Sequence, residues 1–344
     1  MSESAAAADP AGANRTLLGI LSGPWLAQSC YAVAVLGVAD LLAAGPRTAA
    51  ELAVECGANP EALHRVLRAL ASAGLFEQSG EETFALTPVT SLLRTDSPHS
   101  LRQAAIMLGE EVYGSFGEIV HAVRTGTPSF NQVYGMPMYD YLAANPAASR
   151  TFNAALGSRR EVPAALSMCD LDGVRTLVDV GGGNGNLLTE VLVTRPALRG
   201  VLLELPEAVR QARERLTTAG VLDRAILVEG SFFDEVPADG DLYVLARCLH
   251  NWSDEKALAI LRTVRSAMKP GCRLVILEKI IPAAPGPSPA KVYDLLMLAM
   301  VEGRNRTEHE YRALATEAGF EVVAMRVAPG SDPGAESAIE AAAI

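Results

Sequence analysis

The segment 179–186 reads Asp-Val-Gly-Gly-Gly-Asn-Gly-Asn, and its residue types suggest a ligand-binding loop. Glycines let a backbone turn tightly and approach a ligand closely. A dinucleotide-binding fingerprint needs a further glycine three positions after its second one, but Asn186 and Leu188 stand at the two possible positions. A phosphate-binding P-loop needs a Gly-Lys-Ser/Thr ending, which the segment lacks. The loop therefore suits a ligand of another kind, or is a turn that binds none.

The spacing of this loop resembles the nucleoside-binding loop of class I methyltransferases. The pattern Asp-x-Gly-x-Gly-x-Gly is formed by Asp179, Gly181, Gly183 and Gly185, and Glu204 ends the next apolar run. The resemblance implies that the loop binds S-adenosylmethionine and that Glu204 accepts both ribose hydroxyls. For Glu204 alone, a solvated acid at the end of a strand is the competing interpretation.

A second motif, Ala246-Arg-Cys-Leu-His-Asn-Trp-Ser-Asp254, resembles the Leu-His-Asp-Trp-Ser-Asp motif of plant caffeate/flavonoid O-methyltransferases and their bacterial antibiotic-pathway relatives. The resemblance covers nearly the whole chain, including Leu277-Glu-Lys-Ile-Ile-Pro282 and Gly303-Arg-Asn-Arg-Thr307. It implies transfer of a methyl group from S-adenosylmethionine to a hydroxyl of a small phenolic acceptor, such as an aromatic polyketide or an orsellinate-like benzoic acid.

The resemblance also assigns roles to individual positions of this sequence. His250 matches the general base, Glu278 the acid that orients its ring, and Asn305 a second partner of that histidine. Further positions that match cofactor contacts are Ser231, Phe232, Arg247 and, for the methionine carboxylate, Arg160. Positions that match walls of the acceptor pocket are Met107, Leu156, Asn251, Met297 and Met300. Packing in a helical core is the competing interpretation for the apolar residues among them.

Four positions depart from the pattern of the family. Ser231 replaces the acid that contacts adenine, Ala246 a lysine, Asn251 the acid after the histidine, and Asn305 a second acid. These departures keep one alternative open, namely that the chain is a methyltransferase relative that has lost activity or that catalyses another reaction with the same cofactor.

The elements that must position these residues follow two rhythms. From Val174 onward, short apolar runs alternate with segments of helical length, which is typical of a parallel sheet buried on both faces. The predicted strands are 176–180, 200–203, 225–228, 241–245 and 272–277, with late edge strands at 322–327 and 337–344. This pattern predicts an open, doubly wound α/β domain with its ligand at the carboxyl ends of the first strands.

The preceding part is mainly helical and contains a winged-helix pattern. Helices are predicted at 48–56 and 62–70, followed by a hairpin of 75–78 and 83–86. Between positions 46 and 94 this part has four arginines and six glutamates. The excess of negative charge argues against a DNA-binding transcription factor and favours a protein–protein surface. Apolar runs such as 31–42 lack chain of their own to cover them, so we expect a homodimer through this domain. The predicted divisions are a disordered tail at 1–14, a helical winged-helix dimerisation and substrate-lid domain at 15–165, and a catalytic domain at 166–344.

Composition narrows the class of protein further. The net charge of −11 disfavours nucleic acid as a partner, and the five cysteines have no CxxC spacing, which fits reduced thiols in the cytoplasm. The first residues do not resemble a signal peptide, and no uninterrupted apolar run has the roughly 20 residues of a membrane span. We therefore expect a cytoplasmic protein with no membrane association and no catalytic metal. The failed fingerprint disfavours the remaining alternative, a nicotinamide-dependent oxidoreductase.

Overall fold

The computed structural model describes residues 10–157, 165–327 and 336–344. The chain divides into two compact units, Met1–Glu111 and Val112–Ile344. Arg160, predicted to bind the methionine carboxylate, lies outside the described residues.

The first unit combines five helices with a small sheet in its described part. The helices are α1 (Pro10–Val35), α2 (Val38–Leu41), α3 (Ala49–Cys56), α4 (Pro60–Ser72) and α5 (Arg102–Met107), and the strands are β1 (Arg47–Thr48), β2 (Phe76–Ser79) and β3 (Thr83–Leu86). Thr48 and Glu51 form a capping box that starts α3, and Asn59 caps α4. The predicted helix, turn, helix and hairpin are confirmed, and the short strand β1 extends the hairpin to the sheet order β1-β3-β2. Helix α1 begins at Pro10, within the segment predicted as a tail.

Helix α1 exposes much of its apolar surface. Leu17, Leu18, Ile20, Leu21 and Trp25 are between 57% and 74% exposed. By length and composition alone, Ala11–Val35 is apolar enough to cross a membrane. Only 11% of its most apolar window is buried within the protein. The expectation that no apolar segment is long enough to span a membrane is therefore wrong for this helix, because its three glycines and one arginine lower its hydropathy too little. A helix that packs against another protein chain has the same composition.

The second unit contains a long sheet between helices. Its helices are α6 (Tyr113–Gly117), α7 (Ile119–Thr125), α8 (Ser129–Tyr134), α9 (Met138–Ala144), α10 (Pro146–Gly157), α11 (Asn186–Thr194), α12 (Pro206–Thr218), α13 (Asp254–Ala267), α14 (Pro289–Met300) and α15 (Glu308–Glu317). Its strands are β4 (Thr176–Val180), β5 (Arg199–Glu204), β6 (Ala225–Glu229), β7 (Leu242–Ala246), β8 (Arg273–Ile281), β9 (Arg306–Thr307), β10 (Phe320–Val327) and β11 (Glu336–Ala343).

The sheet has the order β10-β11-β8-β7-β4-β5-β6, with β9 paired to the end of β8. Strands β4 to β8 pair in parallel, whereas β11 pairs antiparallel with both β8 and β10. Chain order reverses between β4 and β7, which makes their carboxyl ends the expected binding crevice. The glycine loop leaves β4 at this point and the His250 motif leaves β7, so the fold brings the two motifs to one edge of the sheet. The predicted doubly wound α/β fold with a helical first domain is confirmed.

One strand prediction needs correction. The last strand, expected at an edge, lies inside the sheet between β8 and β10, and β10 forms the edge. Residues 336–341 of β11 are all buried, and small side chains such as Ala338 and Ala341 fit between the layers. The alternation that sequence patterns rely on to identify a half-exposed strand is absent here.

Candidate active site

The glycine loop follows β4 in the conformation that its sequence requires. Gly181, Gly183 and Gly185 have φ values of 70°, 57° and 72°, in the left-handed region that side chains other than glycine rarely adopt. A Cβ at position 181 would lie 3.0 Å from the ring of Phe232, so the loop also needs glycine for close packing. Glu204 accepts hydrogen bonds from the backbone N–H of Gly183 at 3.0 Å and of Leu205 at 2.7 Å. The structure thus joins the predicted ribose acceptor to the predicted cofactor loop.

Asp179 lies fully buried beneath this loop. Neither of its carboxylate oxygens has a hydrogen-bond partner among the described residues. Burial, and then the nearby charge of Glu204, raise the pKa of Asp179 to about 7. Burial also raises the pKa of Glu204. A buried carboxyl group without a partner is costly unless a ligand or a proton satisfies it, so the residues of this crevice fit a polar, cationic cofactor.

Aromatic rings line the same crevice beyond the glycine loop. The ring of Phe232 is 6.1 Å from that of Trp252, and Phe233 meets Trp252 edge-on at 4.9 Å. The hydroxyl oxygen of Ser231 accepts the backbone N–H of Phe233 at 3.1 Å, so it stabilises the turn that presents these rings. Such rings offer flat apolar surface to a nucleobase.

His250 and Glu278 form a buried pair between β7 and β8. His250 lies in the 3₁₀ turn Leu249–Asn251 after β7, and Glu278 lies in β8. Nδ1 of His250 is 2.5 Å from a carboxylate oxygen of Glu278, and the other oxygen accepts the backbone N–H of His250 at 3.2 Å. Glu278 is completely buried and His250 nearly so. An acid that accepts the Nδ1 proton leaves Nε2 as the basic atom of the ring.

Two predicted polar residues have partners of their own. Arg247 pairs with Glu336 at the start of β11, and its contact with the cofactor stays a prediction. Asn305 is buried, its backbone N–H donates to Asp294 at 2.6 Å, and its side-chain amide donates to the carbonyl of Ala290 at 3.4 Å. Within the described part of the chain, its side-chain oxygen has no hydrogen-bond partner, so no hydrogen bond joins Asn305 to His250.

Two of the predicted acceptor contacts share one pocket. Asn251 and Met300 line a cavity of about 170 Å³, together with Trp252 and Tyr139. Met297 is buried on α14, and Leu156, at the end of α10, is 37% exposed. Met107 is buried within the first unit, at the end of α5.

Two tyrosines lie close to this site, Tyr139 in the lining of the pocket and Tyr293 beside His250. Tyr139 stacks on Trp252 with ring centres 5.3 Å apart. Burial, and then the charges of Cys248, Glu204, Tyr293 and Glu278, raise the pKa of Tyr139 well above its usual value. The ring of Tyr293 meets His250 edge-on at 6.3 Å. Tyr139 belongs to a stretch rich in aromatic residues and methionine, 130–141, whose sequence fits either core packing or the wall of a substrate pocket, whereas Tyr293 lies on a helix with no distinguishing pattern.

Comparison with known proteins gives this site a family. Residues 116–321 match the O-methyltransferase domain, and residues 18–96 match the O-methyltransferase dimerisation domain. The chain is 40% identical to phenazine O-methyltransferase PhzM of Lysobacter antibioticus over 88% of this chain and 90% of that protein. It is 37% identical to 8-amino-8-demethylriboflavin N,N-dimethyltransferase of Streptomyces davaonensis over 87% of each.

A solved structure is similar to this chain over nearly its whole length. It is an O-methyltransferase from neocarzinostatin biosynthesis in complex with S-adenosylmethionine and 2-hydroxy-5-methyl naphthoic acid, 32% identical, with a TM-score of 0.79 over 92% of this chain and 96% of that one.

The chain belongs to the family of S-adenosylmethionine-dependent O-methyltransferases with an N-terminal dimerisation domain. It is a methyltransferase that acts on small aromatic acceptors, its cofactor is S-adenosylmethionine, and the family is metal-independent. Among the described residues, no group of three His, Cys, Asp or Glu side chains is placed to hold a metal ion. This identification replaces the transcription-factor and oxidoreductase alternatives.

Proposed function

We propose that the enzyme methylates a hydroxyl group of a small phenolic acceptor, with His250 as the general base. The supporting observation is the buried contact of 2.5 Å between His250 Nδ1 and Glu278. A phenol has a pKa near 10, so a base within hydrogen-bond reach must remove its proton as the oxygen attacks. The acid that holds the Nδ1 proton directs the lone pair of Nε2 outward and stabilises the imidazolium that forms.

The cofactor supplies an electrophilic methyl group on a positively charged sulfur. We assign its nucleoside to the glycine loop, Glu204 and Phe232, and its charged end to the vicinity of Asp179. As the C–O bond forms and the C–S bond breaks, the hydroxyl proton passes to Nε2 of His250. Positive sulfur and developing negative oxygen neutralise each other, so an apolar pocket walled by Met297 and Met300 disfavours the transition state less than the separated charges.

The retained base favours oxygen over nitrogen as the acceptor atom. A neutral aromatic amine can attack with its lone pair and lose its proton afterwards, so it needs a base less than a phenol does. The relative that dimethylates an amine makes this the competing reaction. Incubation of the purified enzyme with methyl-labelled S-adenosylmethionine and paired phenols and anilines tests the assignment. We expect label in the phenols; label in the anilines alone would contradict it, and label in neither class would indicate lost or altered activity.

We also propose a homodimer through the first unit. The support is the match of residues 18–96 to a dimerisation domain and the exposed apolar residues of α1, among them Ile20 and Trp25. An uncovered apolar helix of this size is unfavourable in water, and a second copy of the chain would cover it.

Light scattering at micromolar concentration should give twice the mass of the chain. The double substitution Ile20→Glu and Trp25→Glu should lower it to the monomer mass. Val323→Glu places the same charge on an exposed apolar position of β10 and should leave the dimer intact. A wild-type monomer would contradict the proposal.

A further inference from the structure

Arg306 is the largest fully buried side chain in the described part of the protein. It lies in β9, which pairs with the end of β8 through Ile280. A buried guanidinium stays charged and needs several acceptors, since leaving it without partners costs several kcal/mol. The identity of those acceptors therefore shows what this arginine does.

The guanidinium of Arg306 bonds to both ends of the turn that carries His250. One terminal nitrogen donates to the carbonyl of Leu249 at 2.9 Å, and the other donates to the carbonyl of Trp252 at 2.8 Å. Its Nε donates to Asp254 at 2.8 Å. These two carbonyls flank His250 in the chain, so one rigid planar group sets the separation of the ends of the turn.

Gly303 packs against the same turn from the segment that leads to Arg306. A Cβ at position 303 would lie 2.1 Å from the carbonyl oxygen of His250 and 2.3 Å from the backbone nitrogen of Trp252. No side chain fits there unless the backbone moves. The turn is thus held by Glu278 on the imidazole and by Gly303 and Arg306 on the backbone.

We propose that Arg306 is a positioning residue for methyl transfer, which fixes the backbone turn of His250 so that Nε2 meets the acceptor hydroxyl. This inference rests on the proposed function, in which His250 is the base. The planar fork of arginine can bond two carbonyls at a fixed separation, whereas the single ammonium of lysine cannot. A base displaced by about 1 Å costs roughly 10²-fold in rate, so a small movement of the turn would reduce the chemical step and leave cofactor binding intact.

Arg304 provides a matched control two residues away. It pairs with the other oxygen of the same Asp254 at 2.9 Å and with Glu310 at 2.8 Å, but its side chain is 49% exposed. Arg304→Ala removes a surface ion pair with Asp254 and leaves both carbonyl contacts of the turn in place. Exposed pairs contribute little, so we expect wild-type activity.

The test compares Arg306→Lys and Arg306→Ala with Arg304→Ala, using any phenol that the wild-type enzyme methylates. For both Arg306 variants we expect kcat to fall roughly 10²-fold at neutral pH, with calorimetric affinity for S-adenosylhomocysteine within about twofold of wild type. The deficit should shrink as the pH approaches 10, because the acceptor then ionises without a base. Millimolar guanidinium chloride should restore activity to Arg306→Ala and leave Arg306→Lys unchanged.

Several results would overturn the inference. They are a wild-type kcat in Arg306→Lys, a loss of cofactor affinity that matches the loss of rate, and a deficit that is equal at every pH. If Arg306→Ala does not fold, Gly303→Ala disturbs the same backbone without removing a charge, and it should show the same pH-dependent deficit; its absence counts against the inference. The variant His250→Ala distinguishes failure of the proposed function from failure of this inference. A wild-type kcat in His250→Ala would reject His250 as the base. A low kcat in His250→Ala together with a wild-type kcat in Arg306→Lys would reject only the positioning role of Arg306.

Discussion

The two halves of the active site differ in how far their polar groups are satisfied. Around His250, the ring, the backbone N–H and the neighbouring carbonyls have close partners in Glu278 and Arg306. Beneath the glycine loop, Asp179 is equally buried, yet both of its oxygens lack a hydrogen-bond partner within the described ranges. The imidazole of His250, the proposed base, is therefore positioned by the protein alone, whereas the buried carboxylate of Asp179 carries an electrostatic cost that a cationic ligand can relieve.

The largest effect should come from the half that is already organised. His250→Ala should lower kcat by roughly 10²- to 10⁴-fold, because the acceptor proton then has no base. Affinity for S-adenosylhomocysteine should stay nearly unchanged, since the loop that binds it is intact. Steady-state kinetics and calorimetry measure the two quantities. His309→Ala, an exposed histidine on α15, is the control, and a wild-type kcat in His250→Ala would refute the assignment.

The next effect concerns the free energy that burial of the charged Asp179 carboxylate costs the folded protein. Its pKa in the folded protein, about 7, lies above the usual 3.8, so the folded state binds the proton more tightly than the unfolded state does. Stability should therefore fall as the pH rises from about 4 to about 7, by up to roughly 4 kcal/mol. Asp179→Asn should remove this dependence and be the more stable protein at pH 7 in the absence of cofactor.

Urea unfolding between pH 5 and pH 8 measures this difference. Asp241 is a control of opposite sign: burial opposes its charge, but hydrogen bonds from the backbone of Thr176 and Arg175 outweigh burial and lower its pKa. Asp241→Asn should therefore destabilise the protein at neutral pH. If Asp179→Asn were less stable than wild type at every pH, the contrast between the two halves would be wrong.

Substitution of Glu204 tests the cofactor half by binding. Glu204→Gln keeps the shape but loses the charge that should accept the ribose hydroxyls, and bonds to charged groups contribute about 1.5–3 kcal/mol. Affinity for S-adenosylhomocysteine should weaken by roughly 10- to 100-fold. The kcat at saturating cofactor should remain close to wild type. A loss of kcat with unchanged affinity would place Glu204 in the catalytic half instead.

The smallest expected loss concerns the support of the base. Glu278→Gln retains a hydrogen-bonding group beside His250 but removes the charge that stabilises the imidazolium, so kcat should fall by roughly 10-fold. Asn305 carries no charge to compensate, which makes the enzyme depend on Glu278. Glu317→Gln, an exposed acid on α15, controls for the substitution. A loss as large as that of His250→Ala would show that Glu278 does more than orient the ring.

Local sequence determined much of this molecule. The glycines at 181, 183 and 185 are needed by the backbone itself, and the capping residues Thr48 and Asn59 start their helices through neighbours three positions away. Apolar runs also predicted strands β4 to β8, because a strand buried on both faces needs continuous apolar residues. Such features depend on contacts within a few residues, so the sequence alone sufficed for them.

Contacts between distant residues were decided only by the tertiary structure. The resemblance named His250 and Glu278, but their contact across 28 positions exists because β7 and β8 are neighbours in the sheet. The same holds for Arg306, which bonds to carbonyls more than 50 positions earlier, and for Arg247, which pairs with Glu336 almost 90 positions later. Sequence patterns report local periodicity, whereas the partner of a buried charge depends on which strands the fold places side by side.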